Sequence, residues 1–112
     1  MQTPNAAICA LLLAFPAADG SQPVPVRAGT AHVVLMDKFA FQPAVLAVAA
    51  GETVEWKNAG IVPHTATSLD GKTFDSGKIQ TGASWRVTLK RQGTFEYICT
   101  LHPNMKGRLI VR

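Results

Sequence analysis

From Ala31 to the C-terminus, apolar residues recur with a period of two in short runs separated by turn residues. Successive side chains of a strand point to opposite faces, so this alternation confines the chain to β structure. His32–Met36 is a short apolar run rich in branched residues. Phe39, Phe41, Val45, Leu46 and Val48 follow, with a bend at Pro43. After the Gly51-Glu52 turn, Thr53–Asn58 alternates polar and apolar. Asn58–Pro63 reads as a loop and His64–Thr67 as a short strand closed by Asp70-Gly71. Ser84–Leu89 and Thr94–Ile98 alternate again around Gln92-Gly93, and Gly107–Val111 ends the chain as a strand. About seven short strands with turns every eight to twelve residues or so predict a β-sandwich. Its expected core is Phe41, Val48, Val54, Trp56, Val87, Leu89, Phe95, Tyr97, Leu109 and Val111, with Met36 also inside.

The segment before Ala31 has a different character. Ala6–Phe15 is continuously apolar but too short to cross a bilayer, which takes about 20 residues. It has the length of a signal-peptide core, with small residues after it at Ala17, Ala18 and Gly20. No Lys or Arg precedes it. Ala18-Asp19-Gly20 and Val26-Arg27-Ala28 both suit cleavage. The expected organisation is a signal segment over residues 1–20, with cleavage as late as 28, a Pro/Gly-rich linker over 21–30, and one domain over 31–112. Such a leader implies export to the periplasm, without stable membrane insertion.

Only two cysteines and three histidines occur in the 112 residues, which excludes a disulfide scaffold and leaves few reactive groups to weigh. Cys9 lies inside the leader. Cys99 is then the single cysteine of an exported domain, where a leftover thiol is either reactive or a ligand. The formal charge of +4 comes with no basic run and no interleaved aromatic platform, so nucleic acid is not the expected partner.

Cys99-Thr-Leu-His102-Pro-Asn-Met105 puts a thiol, an imidazole and a thioether on one loop. His64, just after the Asn58–Pro63 loop, is the natural fourth donor. Two imidazoles, a thiolate and a weak thioether describe the trigonal His₂Cys site with a long axial Met that suits blue copper. Soft donors hold both Cu(I) and Cu(II), and a weak axial ligand keeps the geometry similar in both. Each residue taken alone would pass for ordinary core; the combination is what points to a metal. Zinc accepts Cys and His, but Met is a poor zinc ligand. His32 has no donor near it in sequence and reads as a surface or edge-strand histidine. A copper carrier or storage protein is the alternative reading, although such proteins favour Met-rich or Cys-pair sites. Copper nitrite reductases and oxidases need a second metal centre with extra histidines, and only His32 is spare, so an enzyme is not expected.

These residues resemble the cupredoxin family of small blue copper proteins. The likeness runs from about Ala31 to Arg112 and rests on Phe41-Gln-Pro43, Gly51-Glu-Thr-Val54, Trp56-Lys-Asn58, Pro63-His64-Thr65, Gly93–Tyr97, Cys99–Met105 and Gly107. The Cys-x-x-His-x-x-Met spacing is similar to the amicyanin branch, with a shorter ligand loop than plastocyanin and pseudoazurin. The resemblance implies a Greek-key β-sandwich or barrel of about seven to eight strands and one type 1 copper bound by His64, Cys99, His102 and Met105. It implies that Asn58 braces the two ligand loops by a hydrogen bond to Thr100. Leu101 stands where relatives often have Pro, Asn104 where amicyanin has Phe, and Thr65 where an Asn often follows the first ligand.

The implied function is that of a monomeric electron shuttle between redox proteins, methylamine dehydrogenase being one candidate partner. Docking would use an apolar patch around His102, made of Leu101, Pro103, Asn104 and Met105 with Ile61, Val62 and Pro63 beside it. Lys57, Lys106 and Arg108 either ring that patch and steer acidic partners or are ordinary solvated surface.

Overall fold

The alternating segments pair into two four-stranded sheets in the computed structural model, which describes residues 31–112. The expectations for the leader, the linker and Cys9 lie outside the described residues. In chain order the strands are β1 (Ala31–Asp37), β2 (Ala40–Gln42), β3 (Val45–Val48), β4 (Thr53–Asn58), β5 (Thr67–Ser68), β6 (Ser84–Thr88), β7 (Gly93–Cys99) and β8 (His102–Val111). One sheet has the order β2-β1-β4-β6 and the other β3-β8-β7-β5. The expected all-β sandwich of seven to eight strands is thus the observed architecture. β1 runs parallel to β4, and β3 parallel to β8. Both parallel pairs arise because the chain crosses between sheets at Pro43 and returns along strands formed later. Among the described residues, no helix is long and apolar enough to cross a membrane.

The two inner faces interlock around Trp56, which is fully buried. Its ring centroid lies 5.2 Å from Phe74, 5.4 Å from Tyr97 and 5.9 Å from Trp85. Phe41 meets Tyr97 edge-on at 4.6 Å. Such pairs add about 0.5–1.5 kcal/mol each beyond area burial. Burial pushes the Tyr97 phenol up to about 12, so it stays neutral. Of the expected core, Val87 alone is only half-buried, because β6 is an edge strand.

Three differences from the sequence reading have physical causes. The expected strand over His64–Thr67 reduces to β5 at its end, because His64 pairs instead with Ile79 across a loop. That loop carries Phe74 and Ile79 into the core, although its turn residues hide any alternation. β8 begins at His102 rather than Gly107, which turns the expected ligand loop into a hairpin. His32 stands beyond the reach of β2, which pairs only with Leu35–Asp37 of β1, but it has a partner that the sequence did not suggest. The parallel register brings Ala31 beside Thr53, so His32 meets Glu52 at 2.9 Å.

Glu52 is buried and also accepts the Ala49 backbone N–H at 2.7 Å. That backbone bond, assisted by His32, holds its carboxyl below the usual carboxylate range despite the opposing effect of burial. A depressed carboxylate stabilises the fold above its unfolded pKa, and this contribution fades as pH falls through the lower folded value. Glu52→Gln is therefore expected to lower stability at neutral pH, with the deficit shrinking in acid below about pH 4. Urea denaturation across pH measures this.

Gly107 faces the Tyr97 ring. A Cβ there would fall 2.5 Å from the phenol oxygen. Gly107→Ala is expected to cost about 1–3 kcal/mol through forced displacement of a buried ring, read as a lower urea midpoint.

Candidate metal centre

Alternation along β7 puts Phe95, Tyr97 and Cys99 on one inward face, so Cys99 ends the strand at the rim of the core with no exposure. Thr100 and Leu101 form the turn that follows, and Cys99 and His102 are Cα partners across the hairpin. The preceding pair is Ile98 with Lys106, so Pro103, Asn104 and Met105 form a bulge on β8. A bulge re-aims side chains at a strand end. Here Pro103 and Asn104 face solvent while Met105 turns inward and is buried.

His64 arrives from the other sheet's connections. Its backbone N–H donates to Ile79 O at 3.1 Å, and Ile79 N–H returns a bond to His64 O at 2.7 Å. The loop before it is shaped by Asn58 at the end of β4. The Asn58 amide nitrogen donates to Val62 O at 2.9 Å and Ile79 O at 2.8 Å, and its Oδ1 accepts the Gly60 N–H at 2.9 Å. The fit at Gly60 is tight, since a Cβ would lie 3.2 Å from His64 Nε2 and 3.3 Å from Asn58 Oδ1.

The ligand-type atoms of His64, Cys99 and His102 converge within 4.8 Å of one another. Cys99 Sγ is 3.7 Å from His64 Nδ1 and 3.6 Å from His102 Nδ1. An ion about 2.3 Å from sulfur and about 2.0 Å from nitrogen, held trigonally, would space those donors by about 3.7 Å. The residues therefore fit a metal in this position, and their softness suits copper. Met105 shares with His102 a hollow also lined by Phe39, Leu101, Pro103 and Asn104. Sulfur receives one further contact, the Thr65 backbone N–H at 3.2 Å. This bond withdraws charge from a thiolate and so tunes its affinity for oxidised metal. Burial, reinforced by the neighbouring His102, keeps the His64 imidazole below its ordinary pKa and hence neutral, as a ligand must be.

The brace between the ligand segments differs from the expectation. Asn58 makes no bond to Thr100; its amide is spent on Gly60, Val62 and the distant Ile79. Thr65 makes the tie: its Oγ1 accepts the Thr100 N–H at 2.9 Å and lies 3.1 Å from Thr100 Oγ1. Leu101, Pro103 and Asn104 line one hollow with His102. Val62 and Ile61 line a second hollow with His64, and Pro63 is half-buried beside it. Lys106 and Arg108 share a separate hollow with Ala44, Val45 and Glu96, and Arg108 pairs with Glu96 at 2.9 Å. The residue that sequence reasoning missed is Phe39, which lines both hollows. Its place in an apolar run made it look like strand filler.

The two-sheet sandwich with this cluster at one end is that of a cupredoxin. The family model of the cupredoxin-like domain matches residues 5–111, and the chain belongs to that family. It is similar to amicyanin-alpha of Methylorubrum extorquens, 32% identical over 103 residues, which span 88% of this chain and 84% of that protein. Among solved structures, a purple cupredoxin from Nitrosopumilus maritimus superposes with a TM-score of 0.67 at 25% identity, over 71% of this chain and 98% of that one. A copper-containing nitrite reductase from Thermus scotoductus gives 0.68 at 31% identity, over 82% of this chain but only 25% of the reductase.

Asn58→Ala would take the side-chain partner from the Gly60 N–H and Val62 O and remove one of the two bonds to Ile79 O. The expected loss is about 2–4 kcal/mol, measured by urea denaturation of the metal-free protein.

Proposed function

We propose that this chain is a periplasmic blue copper protein that carries single electrons between redox proteins. The observation that carries the reading is the convergence of Cys99 Sγ with the Nδ1 atoms of His64 and His102 at 3.6–3.7 Å. His64, Cys99, His102 and Met105 would hold one type 1 copper, which supplies a one-electron Cu(I)/Cu(II) couple. The protein's part is to keep those donors still. Cys99 is locked by the Thr65 N–H, His64 by its bridge to Ile79, and His102 by the hairpin. Donors that do not move between oxidation states lower the reorganisation that electron exchange requires. The relatives named amicyanin support the same reading, as does the apolar leader for export.

Partner contact falls naturally on the face around His102. Phe39, Leu101 and Ile61 are exposed there, and Lys38 stands beside Phe39. A small apolar face of this kind suits brief, weak association between redox proteins. The donor and acceptor would each bind as separate proteins, with this chain acting as a monomer. The nitrite reductase likeness spans a quarter of that enzyme. Among the described residues the histidine outside the cluster is His32, which is engaged with Glu52. An enzymatic role for this chain alone is accordingly not proposed.

The copper-loaded, oxidised protein should show an intense visible sulfur-to-copper charge-transfer band that bleaches on one-electron reduction. Cys99→Ser should abolish the band. A colourless copper complex, or a band indifferent to that substitution, would overturn the reading. Rapid loss of Cu(I) to a chelator would favour the carrier or storage alternative.

A further inference from the structure

We propose that Phe39 positions the two histidine donors, its ring acting as a clamp held over them by a strained turn. The inference rests on the copper reading above but stands on contacts that exist without metal.

β1 and β2 form a hairpin closed by the pair Asp37–Ala40, with Lys38 and Phe39 as the two turn residues. Both have left-handed backbones, with φ of 53° and 58°. Two-residue hairpins with this turn favour Asn and Gly, because a Cβ is crowded at positive φ. A bulky aromatic there is an outlier whose persistence needs a compensating contact. Ordinary burial is not that contact, since Phe39 is 52% exposed.

The compensation lies in what the ring touches. Its centroid is 5.0 Å from the His102 ring at 78° and 5.7 Å from the His64 ring at 88°. The two imidazoles are themselves 5.1 Å apart. Three rings thus close a triangle, with both histidines turning Nδ1 toward Cys99. The backbone at Gly60 lies close by on another side, where an added Cβ would come within 3.2 Å of His64 Nε2. Rotation of either imidazole away from sulfur would have to displace the Phe39 ring. Phe39 also forms the wall between the two hollows that flank His64 and His102. Loss of the ring would widen both hollows toward the donors. A glycine in this turn would relax the backbone and open the site.

Two substitutions separate ring from backbone. Phe39→Asn accepts the left-handed conformation but removes the ring. Phe39→Tyr keeps the ring. In the metal-free parent, NMR should give NOEs from the Phe39 ring to the carbon-bound imidazole protons of both His64 and His102. In the copper-loaded proteins, an excess of a Cu(I)-specific chelator should strip Phe39→Asn about tenfold faster than the parent, with Phe39→Tyr close to the parent. The urea midpoint of metal-free Phe39→Asn should equal or exceed the parent's. Absence of NOEs to both histidines overturns the proposal whether or not copper binds. So does copper loss from Phe39→Asn at the parental rate, or equally fast loss from Phe39→Tyr. A parent that shows the NOEs but forms no blue copper complex would instead defeat the function proposed above.

Discussion

The contact on which the site depends runs between Thr65 and the Cys99 hairpin. Thr65 gives its backbone N–H to Cys99 Sγ, while its hydroxyl accepts the N–H of Thr100. One residue therefore sets both the electrostatic environment of the sulfur and the position of the turn that delivers His102. Because Thr65 directly follows His64, the same seam fixes the first imidazole against the sulfur. Inside the protein, such hydrogen bonds are stronger than in water and costly to leave unmade. The two ligand segments lie in different parts of the chain, and this seam makes them one unit.

The sandwich supplies the rigid backing. Trp56, Phe74, Tyr97 and Phe41 pack as edge-to-face and tilted rings beneath the site, and Gly107 leaves room for Tyr97 to lie flat against β8. Close-packed interiors have few alternative arrangements, so the strand ends that carry Cys99 and Met105 inherit a fixed geometry. The cost of order is visible at the rim. The turn at Lys38 and Phe39 holds two non-glycine residues at positive φ where the ring meets both histidines. Local strain of this sort persists where surrounding contacts over-determine the backbone.

Much of the fold was legible in advance because alternation is a local property. β4, β6 and β7 can be read from successive residues, and nine of the ten core positions named from pattern are buried. The connection carrying Phe74 and Ile79 was opaque, since its buried residues anchor a loop and follow no period. The partner of His32 was not legible, because Glu52 comes near only through parallel pairing of β1 with β4. Asn58 was assigned to the wrong bond for a similar reason. Its side chain is fully used by Gly60, Val62 and Ile79, and the last of these is distant in sequence.

By itself, the sequence determined the strand content, the identity of the four donor-type side chains, and the tight spacing of Cys99, His102 and Met105. Those are consequences of residue type and of short-range periodicity. Only the tertiary structure decided that His64 meets Cys99, that Thr65 rather than Asn58 ties the segments together, and that Phe39 closes the site. Each of those depends on which strands pair and in what register. Pairing is settled by burial of whole faces rather than by any local signal.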